Sequence, residues 1–69
     1  MAGIRFTEFT KREILWLEEN CNFTPDELAV FRLRTAGASV IGICMQLHMS
    51  ERTAQRRIQK IKKKILRAL

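Results

Sequence analysis

The stretch that decides the fold is SVIGICMQLHMSERTAQRRIQKI, residues 39–61. Ser39 and Ser50 each stand one residue ahead of a segment whose apolar side chains recur at helical spacing. A serine so placed accepts a hydrogen bond from a backbone N–H that the first helical turn leaves open. The first segment is short, from Val40 to about Leu47, and Gly42 weakens it by roughly 1 kcal/mol relative to alanine. The tetrad His48-Met49-Ser50-Glu51 then breaks the chain. From Glu51 onward Ala54, Ile58, Ile61 and Ile65 follow at spacings of four, three and four. That pattern draws one apolar stripe along a helix and leaves the other side polar. No Gly or Pro interrupts it before Leu69, so residues 51–69 predict a rod of about 28 Å at 1.5 Å per residue.

Two further helix starts are legible upstream. In Thr24-Pro25-Asp26-Glu27 the threonine caps, the proline takes the first helical position where its missing N–H costs nothing, and Glu27 closes a capping box. Asp26 and Glu27 also suit the positive end of the helix, and Gly37 is expected to end it in a left-handed conformation. Thr10-Lys11-Arg12-Glu13 is a second capping box, starting a helix that runs to about Asn20, with an earlier turn near Thr7. Phe9 with Ile14, and Phe23 with Leu28, are placed to staple the two starts. No strand signal, repeat, low-complexity segment or linker is evident. The expected architecture is all-α: one four-helix domain over residues 1–69. It contains a helix-turn-helix at about 39–61, an extra N-terminal helix at about 10–20 and a long basic C-terminal helix.

Composition bounds the function. A chain of 69 residues buries only about 60% of its unfolded surface, so it leans on well-capped helices, a partner subunit, or both. Its 46% hydrophobic content supports a packed core rather than disorder. That core leaves no room for a substrate domain. No catalytic cluster is visible, and neither an enzymatic activity nor a cofactor is expected. Charge is unevenly divided. Residues 1–50 carry five basic and six acidic side chains, whereas residues 51–69 carry eight basic ones and only Glu51 as an acid, within a net charge of +6. A near-neutral body joined to one strongly basic helix implies a polyanionic partner, although a solvated lysine-rich tail has the same charge. Cys21 and Cys44 are too few for a disulfide framework, and no apolar run opens the chain as a secretory leader. Reduced thiols and a cytoplasmic location are expected. No stretch approaches the roughly 20 apolar residues that span a bilayer, so no membrane partner is expected.

The paired segments at 39–61 carry the chemistry. In a helix-turn-helix the first helix braces against the backbone and the second enters the major groove. The elbow needs small or apolar residues, here Ile43, Cys44, Leu47, Met49, Ala54 and Ile58. The outer face of the second helix needs long polar donors, which Arg52, Gln55, Arg56 and Gln59 provide. Arginine pairs bidentately with guanine O6 and N7, glutamine with adenine N6 and N7. Lys62-Lys63-Lys64 reads equally as a phosphate clamp or as a solvated helix end whose cations favour the negative pole of the dipole.

The order Phe23-Thr24-Pro25-Asp26-Glu27, Val30-Phe31-Arg32-Leu33 and Gly37 resembles the opening helix of LuxR-type (GerE-like) domains. Ser39, Ile43, Cys44, Leu47, Met49-Ser50-Glu51-Arg52-Thr53-Ala54, Ile58 and Ile61 match the rest, and the C-terminal promoter-reading domain of sigma factors is built on a closely similar pattern. The resemblance covers roughly residues 23–66. It implies a double-stranded DNA partner and a role in transcription regulation, with Gln55, Arg56 and Gln59 facing bases. By the same resemblance Arg52, Thr53, Arg57 and Lys60 hold phosphates. Lys63 is expected to add a clamp because of its charge and its position, about three turns into the helix, rather than by the resemblance. The chain departs from the family in several places. His48 stands where the turn usually has glycine, a substitution that histidine's tolerance of the left-handed region allows. Gly42 replaces a cap-closing glutamate, and Val40, Ile41 and Met45 replace polar residues.

Those apolar replacements ask for cover. The expected answer is mixed: Ile14 and Leu17 of the first helix cover Ile41 and Met45 within the subunit, while Trp16, or else Leu66 and Leu69, serve a homodimer. Cys21, Cys44 and His48 make three candidate ligands without a fourth, so no metal site is expected. Two alternatives stay open. One is a sigma-like factor that also contacts RNA polymerase. The other is a non-catalytic protein-interaction adaptor using the apolar surface of helices one and three.

Overall fold

A computed structural model describes residues 4–69. The expected absence of a leader rests in part on residues 1–3, which lie outside the described part. Four α-helices follow one short 3-10 turn, Phe6–Glu8: α1 (Lys11–Asn20), α2 (Pro25–Thr35), α3 (Val40–Leu47) and α4 (Glu51–Ala68). There is no strand among the described residues.

Each helix begins where its capping chemistry places it. The Thr10 hydroxyl accepts from the Glu13 N–H at 3.1 Å, and the Glu13 carboxylate accepts from the Thr10 N–H at 2.8 Å. Thr24 and Glu27 repeat the reciprocal pair at the start of α2, with Pro25 in the first helical position. Ser39 and Ser50 cap α3 and α4 by accepting from the Gly42 and Thr53 N–H groups. With glycine at position 42, the cap of α3 has no return bond from a side chain.

The ends are equally specific. The Gly37 N–H donates to the Arg34 carbonyl and the Ala38 N–H to the Leu33 carbonyl, with Gly37 at φ 97°. This is a Schellman closure, in which the residue after the cap must enter the left-handed region. Ala38 and Leu33 accompany it as half-buried apolar partners of the core. His48 closes α3 at φ 54°, ψ 47°, a region that costs an L-residue other than glycine roughly 1–2 kcal/mol. The Met49 N–H reaches back to the Cys44 carbonyl at 3.2 Å across that turn.

α4 is the spine of the core and packs chiefly on α2 and α3, with α1 laid against it as well. Its stripe of Ala54, Ile58, Ile61 and Ile65 is buried along its whole length, together with Leu17, Cys21, Val30, Phe31 and Ile43. Phe31 is fully enclosed. Phe23 lies 4.9 Å from it between ring centroids, and Phe6 meets it edge-on at 6.3 Å. The 3-10 turn thereby plugs the core through Phe6. Arg34 sits over the outside of the Phe6 ring, 5.6 Å from its centroid, and donates to the Ala38 carbonyl at 2.8 Å.

One expectation is overturned. Ile41 and Met45 are 65% and 73% exposed, so the first helix does not cover them. Leu17 is buried and Ile14 half-buried, but both belong to the core cluster built around α4. α1 follows the deep, continuous stripe of α4 rather than the two-residue step on α3, because the stripe removes more apolar surface from water.

Candidate functional site

The long helix α4 presents three different surfaces. Its inner stripe is the core. Its outer face carries Arg52, Gln55, Arg56, Gln59, Lys60 and Lys63, all exposed and all lining one shallow groove. From Arg52 to Lys63 this face runs about 16 Å along the helix at 1.5 Å per residue. The Ser50 cap fixes where the helix starts, and the apolar stripe fixes its rotation about its axis. Together they direct the donors outward. No ion pair among the described residues engages any of these six side chains.

The third surface is the edge that faces α2, and its cations are occupied. The Lys64 ammonium donates to the Glu27 carboxylate and, at 3.2 Å, to the Asn22 carbonyl. Glu27 is only 3% exposed. Burial alone would raise its carboxyl, but the Lys64 ammonium and the Thr24 cap outweigh that and hold it below the ordinary glutamate range. Asn22 lies in the left-handed region at φ 53°, at the corner between α1 and α2 where its carbonyl meets Lys64. Next to it Cys21 is buried, and the low-polarity surroundings push its thiol up. Arg57 leans toward Asp26 at 3.7 Å, and its Nε is buried with no hydrogen-bond partner among the described residues. Thr53 is half-buried at the first turn and accepts a hydrogen bond from the Ser50 hydroxyl at 2.9 Å.

Of the eight side chains singled out in the sequence, the structure therefore gathers six on one face. Thr53 and Arg57 lie apart from them, toward the body. The cross-helix pairs Glu27 with Lys64, Asp26 with Arg57, and Glu18 with Arg32, the last at 3.1 Å, were missed by sequence reasoning. The capping motif had already explained Asp26 and Glu27, and pairs 31 and 37 residues apart leave no local signal. Among the described residues no group of three or more His, Cys, Asp or Glu is placed to hold a metal ion. Among the described residues no helix is long and apolar enough to cross a membrane.

On α3, Ile41 and Met45 stand one helical turn apart and exposed. Comparison with protein-family models, with curated proteins and with solved structures yields no match for this chain.

Proposed function

We propose that the chain is a helix-turn-helix DNA-binding protein that reads a short duplex site by laying the outer face of α4 in the major groove, and so regulates transcription. The observation that carries this reading is the segregation of charge on α4. Arg52, Gln55, Arg56, Gln59, Lys60 and Lys63 share one open face with no carboxylate paired to them. Lys64 and Arg57 are turned to the acids of α2 instead. A face that mixes guanidinium, carboxamide and ammonium groups suits a groove in which base edges lie between two phosphate backbones. A ridge about 10–12 Å across fits a major groove about 12 Å wide. In this reading Gln55, Arg56 and Gln59 meet base edges, while Arg52, Lys60 and Lys63 hold phosphates. Thr53 retains a hydroxyl proton to donate to a phosphate at the groove edge. The likeness to LuxR-type and sigma-factor domains supports these roles for Arg52, Thr53, Gln55, Arg56, Gln59 and Lys60; the phosphate role it also implies for Arg57 is not kept, because Arg57 is turned to Asp26.

The test is selection of bound sites from random duplex DNA at physiological salt. A defined consensus is expected. Recovery of no consensus, with equal retention of all duplexes, contradicts base reading. Retention at low salt alone does not support it, since any helix of this charge binds polyanions.

A second reading has its own observation. The apolar step of Ile41 and Met45 on α3 is uncovered, which favours a protein contact made in addition to DNA, as in a sigma-like factor touching RNA polymerase. An adaptor that binds protein alone would share this surface but yield no consensus in the selection.

A further inference from the structure

A separate face supports an inference that does not rest on DNA binding. α1 exposes Arg12, Leu15, Trp16 and Glu19. Their spacing of three, four and seven from Arg12 gathers them into one stripe. Leu15 and Trp16 at its centre are 61% and 43% exposed. Arg12 and Glu19 at its ends have no ionic partner among the described residues, whereas Glu13 is held by the Thr10 cap and Glu18 by Arg32.

Apart from Glu13 in the first turn, which the capping box holds, the charge order of this helix opposes its own dipole. Lys11 and Arg12 stand at the positive N-terminal end and Glu18 and Glu19 at the negative C-terminal end. For an isolated surface helix that arrangement is unfavourable. It becomes favourable when a second helix of the same sequence lies alongside in the opposite direction. A twofold axis between Leu15 and Trp16 carries position 12 onto position 19, so opposite charges meet at both ends of the contact while the apolar pairs meet in the middle. The two helix dipoles are then antiparallel as well.

We infer that α1 is a self-association surface. A second copy of the chain packs on it antiparallel, with Arg12 against Glu19 of the partner subunit and Leu15 and Trp16 around the axis. α1 has only ten residues, about 15 Å of helix. A helix pair of that length falls short of the roughly 800 Å² per partner typical of a stable interface. The contact therefore spreads into the apolar cleft beside Trp16, which is lined by Phe9, Leu17 and the exposed Leu69. The resulting dimer is concentration-dependent rather than permanent. No side chain of the outer face of α4 takes part.

Sedimentation of the full chain from about 1 μM to about 1 mM tests this, with emission of Trp16, the only tryptophan, as a second readout. Dimer is expected to accumulate with concentration, with a blue shift of the emission. Arg12→Glu and Glu19→Arg are each expected to weaken association by about tenfold or more, since each sets like charges opposite one another across the axis. Both substitutions improve the match to the helix dipole, so helix content and thermal stability are retained or raised. Mixing the two variants in equal amounts should restore association as a heterodimer, because both charge pairs are then attractive. A wild-type chain that stays monomeric throughout, single variants that associate like wild type, or a mixture no better than its components would each overturn the inference.

Discussion

Two edges of α4 carry the same kind of side chain and do different things with it. On the edge facing α2, Lys64 and Arg57 meet Glu27 and Asp26. On the outer face, Arg52, Arg56, Lys60 and Lys63 meet no carboxylate. The difference arises from the N-terminus of α2, where acids favoured by the helix dipole and the capping box are brought against α4 by core packing. Net charge alone cannot separate the two edges. A half-buried cation paired with a carboxylate holds the body together, and a cation left open is available to a ligand.

The comparison breaks most severely at Glu27. Glu27→Ala removes a buried carboxylate, half of a capping box and the partner of Lys64 at once. A loss of about 2–3 kcal/mol is expected in denaturant unfolding, below the upper range for buried pairs because Lys64 can turn to water. Lys64→Ala should cost stability as well, whereas Lys63→Ala, one residue away on the open face, should change it by no more than about 0.5 kcal/mol. The same pair gives an acid dependence. The Glu27 carboxyl is held below its unfolded value, so its stabilisation is complete above the ordinary glutamate value of 4.5 and is lost as the pH falls from there through the lower folded value. Unfolding midpoints followed from pH 6 to about pH 3 should show this loss. Glu27→Gln should flatten part of it, and an unchanged acid profile in that variant would count against the pair.

On the open face the expected cost is in affinity rather than stability. Arg56→Ala should weaken binding to a selected duplex by about 1–3 kcal/mol and relax preference at particular base pairs. Lys63→Ala should weaken all duplexes alike. Equal losses on selected and random DNA for Arg56→Ala would remove it from the base-reading set. A smaller effect than those at Glu27 and Arg56 is expected at the turn that sets the angle between α3 and α4. His48→Gly relieves a left-handed histidine at some cost in chain entropy, and a gain of about 0.5–1 kcal/mol is expected in thermal unfolding.

The parts of the fold that depend on short-range chemistry were legible in the sequence. Thr10, Thr24, Ser39 and Ser50 each cap where they were expected to, and Ala54, Ile58, Ile61 and Ile65 are buried as one stripe, because caps and periodicity operate within one or two turns. Gly37 was legible as a left-handed stop for the same reason. Asn22 at the next corner was not, since asparagine only tolerates the conformation that glycine favours. The placement of α1 was misjudged. Ile14 and Leu17 could be assigned to an inward face, but which surface they met depended on competition between the step at Ile41 and Met45 and the stripe of α4. At the candidate site, rotation of α4 followed from its apolar period and so did the outward direction of Arg52, Gln55, Arg56 and Gln59, whereas Lys60 rests on the resemblance and Lys63 reads equally as a clamp or a solvated helix end. The withdrawal of Arg57 and Lys64 depended on tertiary packing with α2, for which the linear sequence offers no pattern.

The most direct test of the open face is the salt dependence of duplex binding by the wild-type chain, read as fluorescence anisotropy of a labelled site over a series of potassium concentrations. With Arg57 and Lys64 committed to α2, the four cations of the open face, Arg52, Arg56, Lys60 and Lys63, neutralise about four phosphates, and log affinity should fall against log salt with a slope near −3 to −4. A flat response would contradict the assignment of that face to nucleic acid.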